Sequence, residues 1–126
     1  MIRGFAWFLI VAGSFFAYVY LANPGLTFPG ARITDYSSQL GFYSTSVRVI
    51  GSVVGLGIAV LLNDARLLAI MLATRLVIES GDIIVGLVIG GPLSNTVMLV
   101  LLALAELAAT VKLVQVVRGS VRSAPV

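Results

Sequence analysis

The stretch ATRLVIESGDIIVGL, residues 73–87, places Arg75, Glu79 and Asp82 in a run whose other residues would suit the interior of a bilayer. Those residue types do chemistry in apolar surroundings. A guanidinium can hold an anionic or carbonyl end of a ligand, and a carboxylate shielded from water can take up and release a proton. At about 100° per residue, Arg75, Glu79, Asp82 and Gly86 fall within an arc of about 60°, while Ala73, Val77, Ile84 and Val88 face the other way. One face is ionic and the other is oily. Two other stretches repeat the pattern. Arg48, Ser52, Gly55 and Ala59 share a stripe that opens with a cation and a hydroxyl and ends in small residues, and Asn95, Leu99, Glu106 and Thr110 line another. Glu79, Asp82 and Glu106 are therefore the candidate proton carriers, and Arg48, Ser52, Arg75 and Thr110 the candidate ligand-binding groups.

These groups need elements that hold them together, and composition says what the elements are. Hydrophobic residues make up 60% of the 126-residue chain, charged residues 10%, and the mean hydropathy is +1.11. A water-soluble globule of this length would leave about a third of its unfolded-chain surface exposed, and this sequence has too few polar residues to cover it. Lipid is the natural solvent. A bilayer core of about 30 Å needs about 20 mostly apolar residues per helix, and four stretches approach that length, roughly 4–22, 46–62, 67–90 and 96–117. The expected fold is all-α: one integral-membrane domain over residues 1–126, a four-helix bundle with antiparallel neighbours.

Breaks between these segments are marked by Asn23-Pro24-Gly25 with Pro29-Gly30, by Asn63-Asp64-Ala65-Arg66, and by Gly90-Gly91-Pro92. The start of the second helix is the weakest boundary, because it could reach back into TDYSSQLGFYST and put Asp35 in a first turn. The segment from Asn23 to Ser46 is too long for a tight turn and reads either as a solvated loop or as a short amphipathic lid over the outer mouth. The first segment is expected to be a retained helix rather than a cleaved signal, since Tyr20 sits where a signal-peptide site ending at Ala22 would need a small residue.

Orientation follows from the cations near the helix ends. Arg3, Arg66, Lys112, Arg118 and Arg122 fall on one side and Arg32 and Arg48 on the other, which favours both termini in the cytoplasm and, in a bacterial cell, an inner-membrane location. Trp7, Tyr18 and Tyr20 suit the interfaces. The net charge of +3 is dispersed, so nucleic acid is not an expected partner; the C-terminal cations sit where anionic headgroups would be. With no cysteine and no histidine, thiol chemistry, disulfide exchange, histidine-ligated haem, Cys/His zinc sites and a Ser-His-Asp hydrolase are all excluded. No cofactor or metal is expected, carboxylate-only metal binding being a weak option.

Depth suggests the pairing. A rise of 1.5 Å per residue puts Glu79 near mid-membrane and Asp82 in the outer half, level with Arg48, while Glu106 is again near the middle of its helix. The expected cluster is Arg48–Asp82 on the outside and Arg75–Glu79–Glu106 deeper, with Ser52 and Thr110 as hydrogen-bond partners. An ionised residue at a helix centre costs about 2.5–3.5 kcal/mol on insertion scales, so these groups must be paired or wet. Two cations against three carboxylates leave a surplus acid that would hold a proton, Glu79 or Glu106 being the candidates.

A first helix closed by Asn-Pro, a glycine-rich second opened by an arginine (RVIGSVVGLGIAVLL), a third with TRLVIESGDIIVGL and a fourth with LALAELAATVKL together resemble small four-helix bacterial membrane proteins of uncharacterised families near the DoxX-like set. The resemblance implies a four-helix bundle with the charged positions facing inward, and no established activity. Small multidrug transporters match poorly, since the first helix here has no carboxylate, and quinone-linked thiol oxidoreductases need cysteines.

Three readings stand. The first is a membrane-embedded pocket that binds or processes an amphipathic ligand such as a lipid, an isoprenoid or a quinone. The second is an accessory subunit of a larger membrane complex whose charges only lock helices in register. The third is a small proton-coupled transporter, as a homo-oligomer. The spacings Gly51-x-x-x-Gly55 and Gly86-x-x-x-Gly90 read as helix packing within the chain or as dimer contacts.

Overall fold

The computed structural model describes residues 1–26 and 30–122, with the side chains of residues 121 and 122 excepted. Pro29, one of the expected breakers, and the side chain of Arg122, one of the counted cations, lie outside the described residues. The fold is all-helical. Its α-helices are α1 (Ile2–Ala22), α2 (Tyr36–Leu61), α3 (Ala65–Val88) and α4 (Leu93–Arg122), and a 3₁₀ turn at Pro24–Leu26 follows α1. By length and composition α1, α2 and α4 can each cross a membrane. The third helix falls short of that standard because Arg75, Glu79 and Asp82 interrupt it.

Each helix end has a chemical cause. Asn23 ends α1 because the residue before a proline is pushed out of the helical region; its φ is −156° while its N–H still donates to the Val19 carbonyl at 2.8 Å. The turn after α2 pivots on Asn63, whose φ is +54°. The Asp64 N–H reaches the Ala59 carbonyl and the Asn63 N–H the Val60 carbonyl, each at 3.2 Å, which is the Schellman pattern with asparagine in its left-handed position. The Asp64 carboxylate then accepts from the N–H groups of Arg66 (2.8 Å) and Leu67 (3.2 Å) and caps α3. After α3 the same pattern returns with Gly90 at φ +69°: the Gly91 N–H donates to the Gly86 carbonyl at 2.8 Å, and Pro92 leads into α4.

Apolarity alone starts the second helix at residue 46 and leaves an earlier start in TDYSSQLGFYST open; the helix starts at Tyr36, inside that stretch. A cap decides that boundary. The Ser38 N–H donates to Asp35 Oδ1 at 2.8 Å while the Asp35 N–H donates to Ser38 Oγ at 3.2 Å, a reciprocal capping box that starts the helix at Tyr36. Asp35 is thus the cap and not a first-turn residue. Of the Asn23–Ser46 segment, expected as a solvated loop or a lid, residues 36–46 are instead the first three turns of α2, with Thr45 returning its hydroxyl to the Gly41 carbonyl at 2.8 Å.

The chain forms two compact units, Met1–Ile58 and Ala59–Val126. In the first, α1 buries Ala6, Leu9, Gly13, Ala17 and Val19. The approach of α2 is close at Gly13, where a Cβ would lie 2.6 Å from Val53 Cγ2, so only glycine fits without displacement. One turn on, the buried Ser46 hydroxyl donates to the Ala17 carbonyl at 2.8 Å, and beyond it Tyr20 stacks on Phe42 with ring centroids 6.4 Å apart. In the second unit α3 packs along α4. Leu68, Ala69, Leu72 and Glu79 of α3 are buried, as are Thr96, Ala103, Glu106, Ala109 and Leu113 of α4. Val77, Ile84 and Val88 are exposed, which is the oily face of α3. Thr74 and Ser80 hide their hydroxyls on the Ile70 and Leu76 carbonyls at 2.9 and 2.7 Å, so neither leaves an unsatisfied donor on the helix surface.

Candidate functional site

The site is built on the seam between α3 and α4. Glu79 follows Arg75 by one helical turn, so the two side chains stand on the same face and meet: Arg75 Nη2 donates to Glu79 Oε1 at 2.8 Å. The same guanidinium turns its edge to the other helix, where Nε donates to Glu106 Oε1 at 2.7 Å. One planar cation thus bridges a carboxylate on its own helix and one 31 positions further along the chain. All three are withdrawn from the surface, with 11% of the Arg75 side chain exposed, 8% of Glu79 and none of Glu106.

Arg75 serves only one oxygen of each acid. Glu79 Oε2 and Glu106 Oε2 are both buried and have no hydrogen-bond partner. A buried acceptor without a donor loses the hydrogen bonds that water would have given it, at about 1–3 kcal/mol and more when charged. The triad also has one cation for two acids. As drawn it is short of one positive charge and two hydrogen-bond donors, which a proton or a donor-bearing guest would supply.

The other sequence-derived candidates fall into place around this centre. Thr110 stands one turn from Glu106 on α4, half-buried, and its hydroxyl donates to the Glu106 backbone carbonyl at 2.7 Å. It supports the helix at that point rather than presenting a free hydroxyl to the carboxylates. Asp82 is half-buried on α3, on the face of Glu79. Arg48, exposed, and Ser52, buried, belong to the first unit on α2. Among the described residues no three acidic side chains are grouped so as to hold a metal ion.

Two polar positions escaped the sequence reading. Ser46 is fully buried with its hydroxyl on Ala17, and Thr96 is buried with its hydroxyl oxygen 3.7 Å from where a Cβ on Gly86 would sit. Gly86 is therefore a packing position between α3 and α4, whereas a side chain at Gly51 would meet nothing within 4 Å. Ser46 had one readable signal, its place opposite a small-residue pair, Gly13-x-x-x-Ala17, in the preceding helix.

No protein-family model matches the chain, and no curated protein or solved structure matches it either.

Proposed function

We propose that this is a multi-pass protein of the bacterial inner membrane whose Arg75–Glu79–Glu106 triad binds the polar end of an amphipathic ligand of the lipid, isoprenoid or quinone class. All four helices cross the membrane as antiparallel neighbours, and both termini are cytoplasmic. Contacts between Arg75 and Glu106 and between Gly86 and Thr96 run in opposite senses along α3 and α4, as do those of Gly13, Ala17 and Tyr20 with Val53, Ser46 and Phe42 along α1 and α2. Arg75 of α3 is paired with Glu79 of its own helix and with Glu106 of α4, which supports a fourth crossing despite its composition. Lipid-facing exposure of Phe8, Val11, Phe15, Ile58, Leu101 and Leu104 fits the same reading. The resemblance to uncharacterised families near the DoxX-like set belongs to this proposal and adds no activity to it.

The observation that carries the site is the pair of bare carboxylate oxygens. A purely structural network would be expected to spend its acceptors, since unsatisfied buried oxygens weaken what they are meant to hold together. Asp82, on the face of α3 that carries Glu79, is proposed to contribute to the same polar face. A second reading has its own support: Arg75 is already engaged by two carboxylates, as it would be in a subunit whose charges only set helix register.

Native mass spectrometry of the detergent-released protein, wild type beside Glu106→Gln, separates the two. A retained small molecule that the folded variant releases supports the site. Absence of any ligand from wild type, together with early thermal unfolding of the variant, supports the structural subunit.

A further inference from the structure

We infer that the Glu79–Glu106 pair holds one proton when the site is empty and exchanges it for the ammonium headgroup of an aliphatic amine. This rests on the reading of the triad as a ligand site and narrows its guests to amphiphiles that end in an ammonium group, to the exclusion of quinones.

Both unpaired atoms, Glu79 Oε2 and Glu106 Oε2, are acceptors, and their side chains are more than nine-tenths buried. A guest that settles there must bring donors. A carboxylate, a phosphate or the carbonyl of a quinone brings further acceptors to a place that already has two too many. Charge points the same way: Arg75 neutralises one of the two acids, so one more positive unit closes the account. That unit is a proton in the empty site, bound by one carboxyl group and shared with the other.

An ammonium group carries the same charge and three donors, enough to meet both bare oxygens. Proton and ammonium therefore compete for one position. When R–NH₃⁺ enters, one H⁺ leaves to solvent, no covalent bond other than the carboxylic O–H is broken, and the net charge of the site is unchanged. The other charged groups of the second unit do not supply the missing charge. On α3, Arg66 is exposed near the helix start and Asp82 adds negative charge; on α4, Lys112 and Arg118 are exposed on later turns. The surroundings of a guest's tail are apolar, with Leu72 of α3 and Ala103 and Ala109 of α4 buried along the same seam.

The test uses the full chain in lipid nanodiscs, in weakly buffered solution with a pH-indicator dye, titrated with dodecylammonium, dodecanol or dodecanoate. The expected result is saturable binding of dodecylammonium at one per chain with release of about one proton, its affinity falling about tenfold for each pH unit of acidification while the site is protonated. Glu106→Gln and Glu79→Gln, each checked for helical content by circular dichroism, are expected to lose both the proton release and most of the binding, because Arg75 then faces one carboxylate and the account is already closed. Dodecylammonium that binds without releasing a proton, or with pH-independent affinity, overturns the proposal. Saturable binding of dodecanoate or dodecanol with none of the amine overturns it while leaving the ligand site standing. Binding of no amphiphile at all overturns both. Should both glutamine variants unfold, proton release by the wild-type chain still decides.

Discussion

Replacing Arg75 by leucine removes the cation to which Glu79 and Glu106 both bond, and the loss can be worked from the geometry. Two charge-assisted hydrogen bonds disappear, at 2.7 and 2.8 Å. Bonds to charged groups contribute about 1.5–3 kcal/mol each, which gives about 3–6 kcal/mol for the pair. Removing one partner of a buried ion pair elsewhere costs about 3–5 kcal/mol, because the abandoned charge stays buried. Here two acids are abandoned, and both must be protonated to remain in place, one proton more than the empty pair holds. Offsetting that, leucine spares the insertion cost of the arginine, so the expected net loss is about 3–5 kcal/mol. Glu106→Gln should be milder, about 1 kcal/mol, since its amide oxygen can still accept from Arg75 Nε and one cation then faces one carboxylate. The triple leucine replacement of Arg75, Glu79 and Glu106 should recover most of the loss, as apolar packing substitutes for the network. Reversible unfolding in mixed micelles of non-ionic detergent and dodecyl sulfate, followed by far-ultraviolet circular dichroism, measures all three. Arg75→Leu within about 1 kcal/mol of wild type, or less damaging than Glu106→Gln, would refute the claim that this cation holds the two helices.

Further outcomes follow from the same structure. Residues 65–88 alone should insert poorly in a translocon assay that scores glycosylation on either side of the membrane, because three charges interrupt the segment. The α3–α4 hairpin should insert better, and Glu106→Leu within it should remove the gain; equal insertion of all three would show that the ion pair forms only after insertion. The start of α2 should loosen in acid. Ser38, through its N–H above all, holds the Asp35 carboxyl below its usual value of 3.8. Its stabilising effect is therefore complete above that value and is lost as the pH falls through the lowered one. Amide exchange at Ser38 should accelerate in that acid range in wild type. It should not do so in Asp35→Asn, which keeps a good cap that does not titrate.

Much of the fold was legible because helix ends are local chemistry. Asn63-Asp64 and Gly90-Gly91-Pro92 each carry a left-handed residue and a following cap or proline, and those residues act over a span of six positions that a reader can see whole. The boundary that apolarity left open had a local cause as well. An apolarity count cannot see the first turns of α2, where Ser37, Ser38, Gln39, Ser44 and Thr45 are polar, yet the Asp35–Ser38 box starts a helix whatever its hydropathy. The third helix, expected to cross the membrane like its neighbours, turned out to be the one that composition does not mark as a span.

The sequence by itself determined the all-helical character, the two tight turns, and the meeting of Arg75 with Glu79, since residues four apart on a helix share a face by geometry alone. Depth along the helices suggested Glu106 as the third member, and only the tertiary structure decided that Arg75 Nε bonds its Oε1. It also decided that Ser46 bonds Ala17, that Gly13 is where α2 comes close, and that one oxygen of each glutamate is left bare. The physical reason is that periodicity specifies which face a residue occupies but not which residue of another helix stands opposite it. That register is set by how contacts such as Val53 against Gly13, or Thr96 beside Gly86, let two backbones settle against each other.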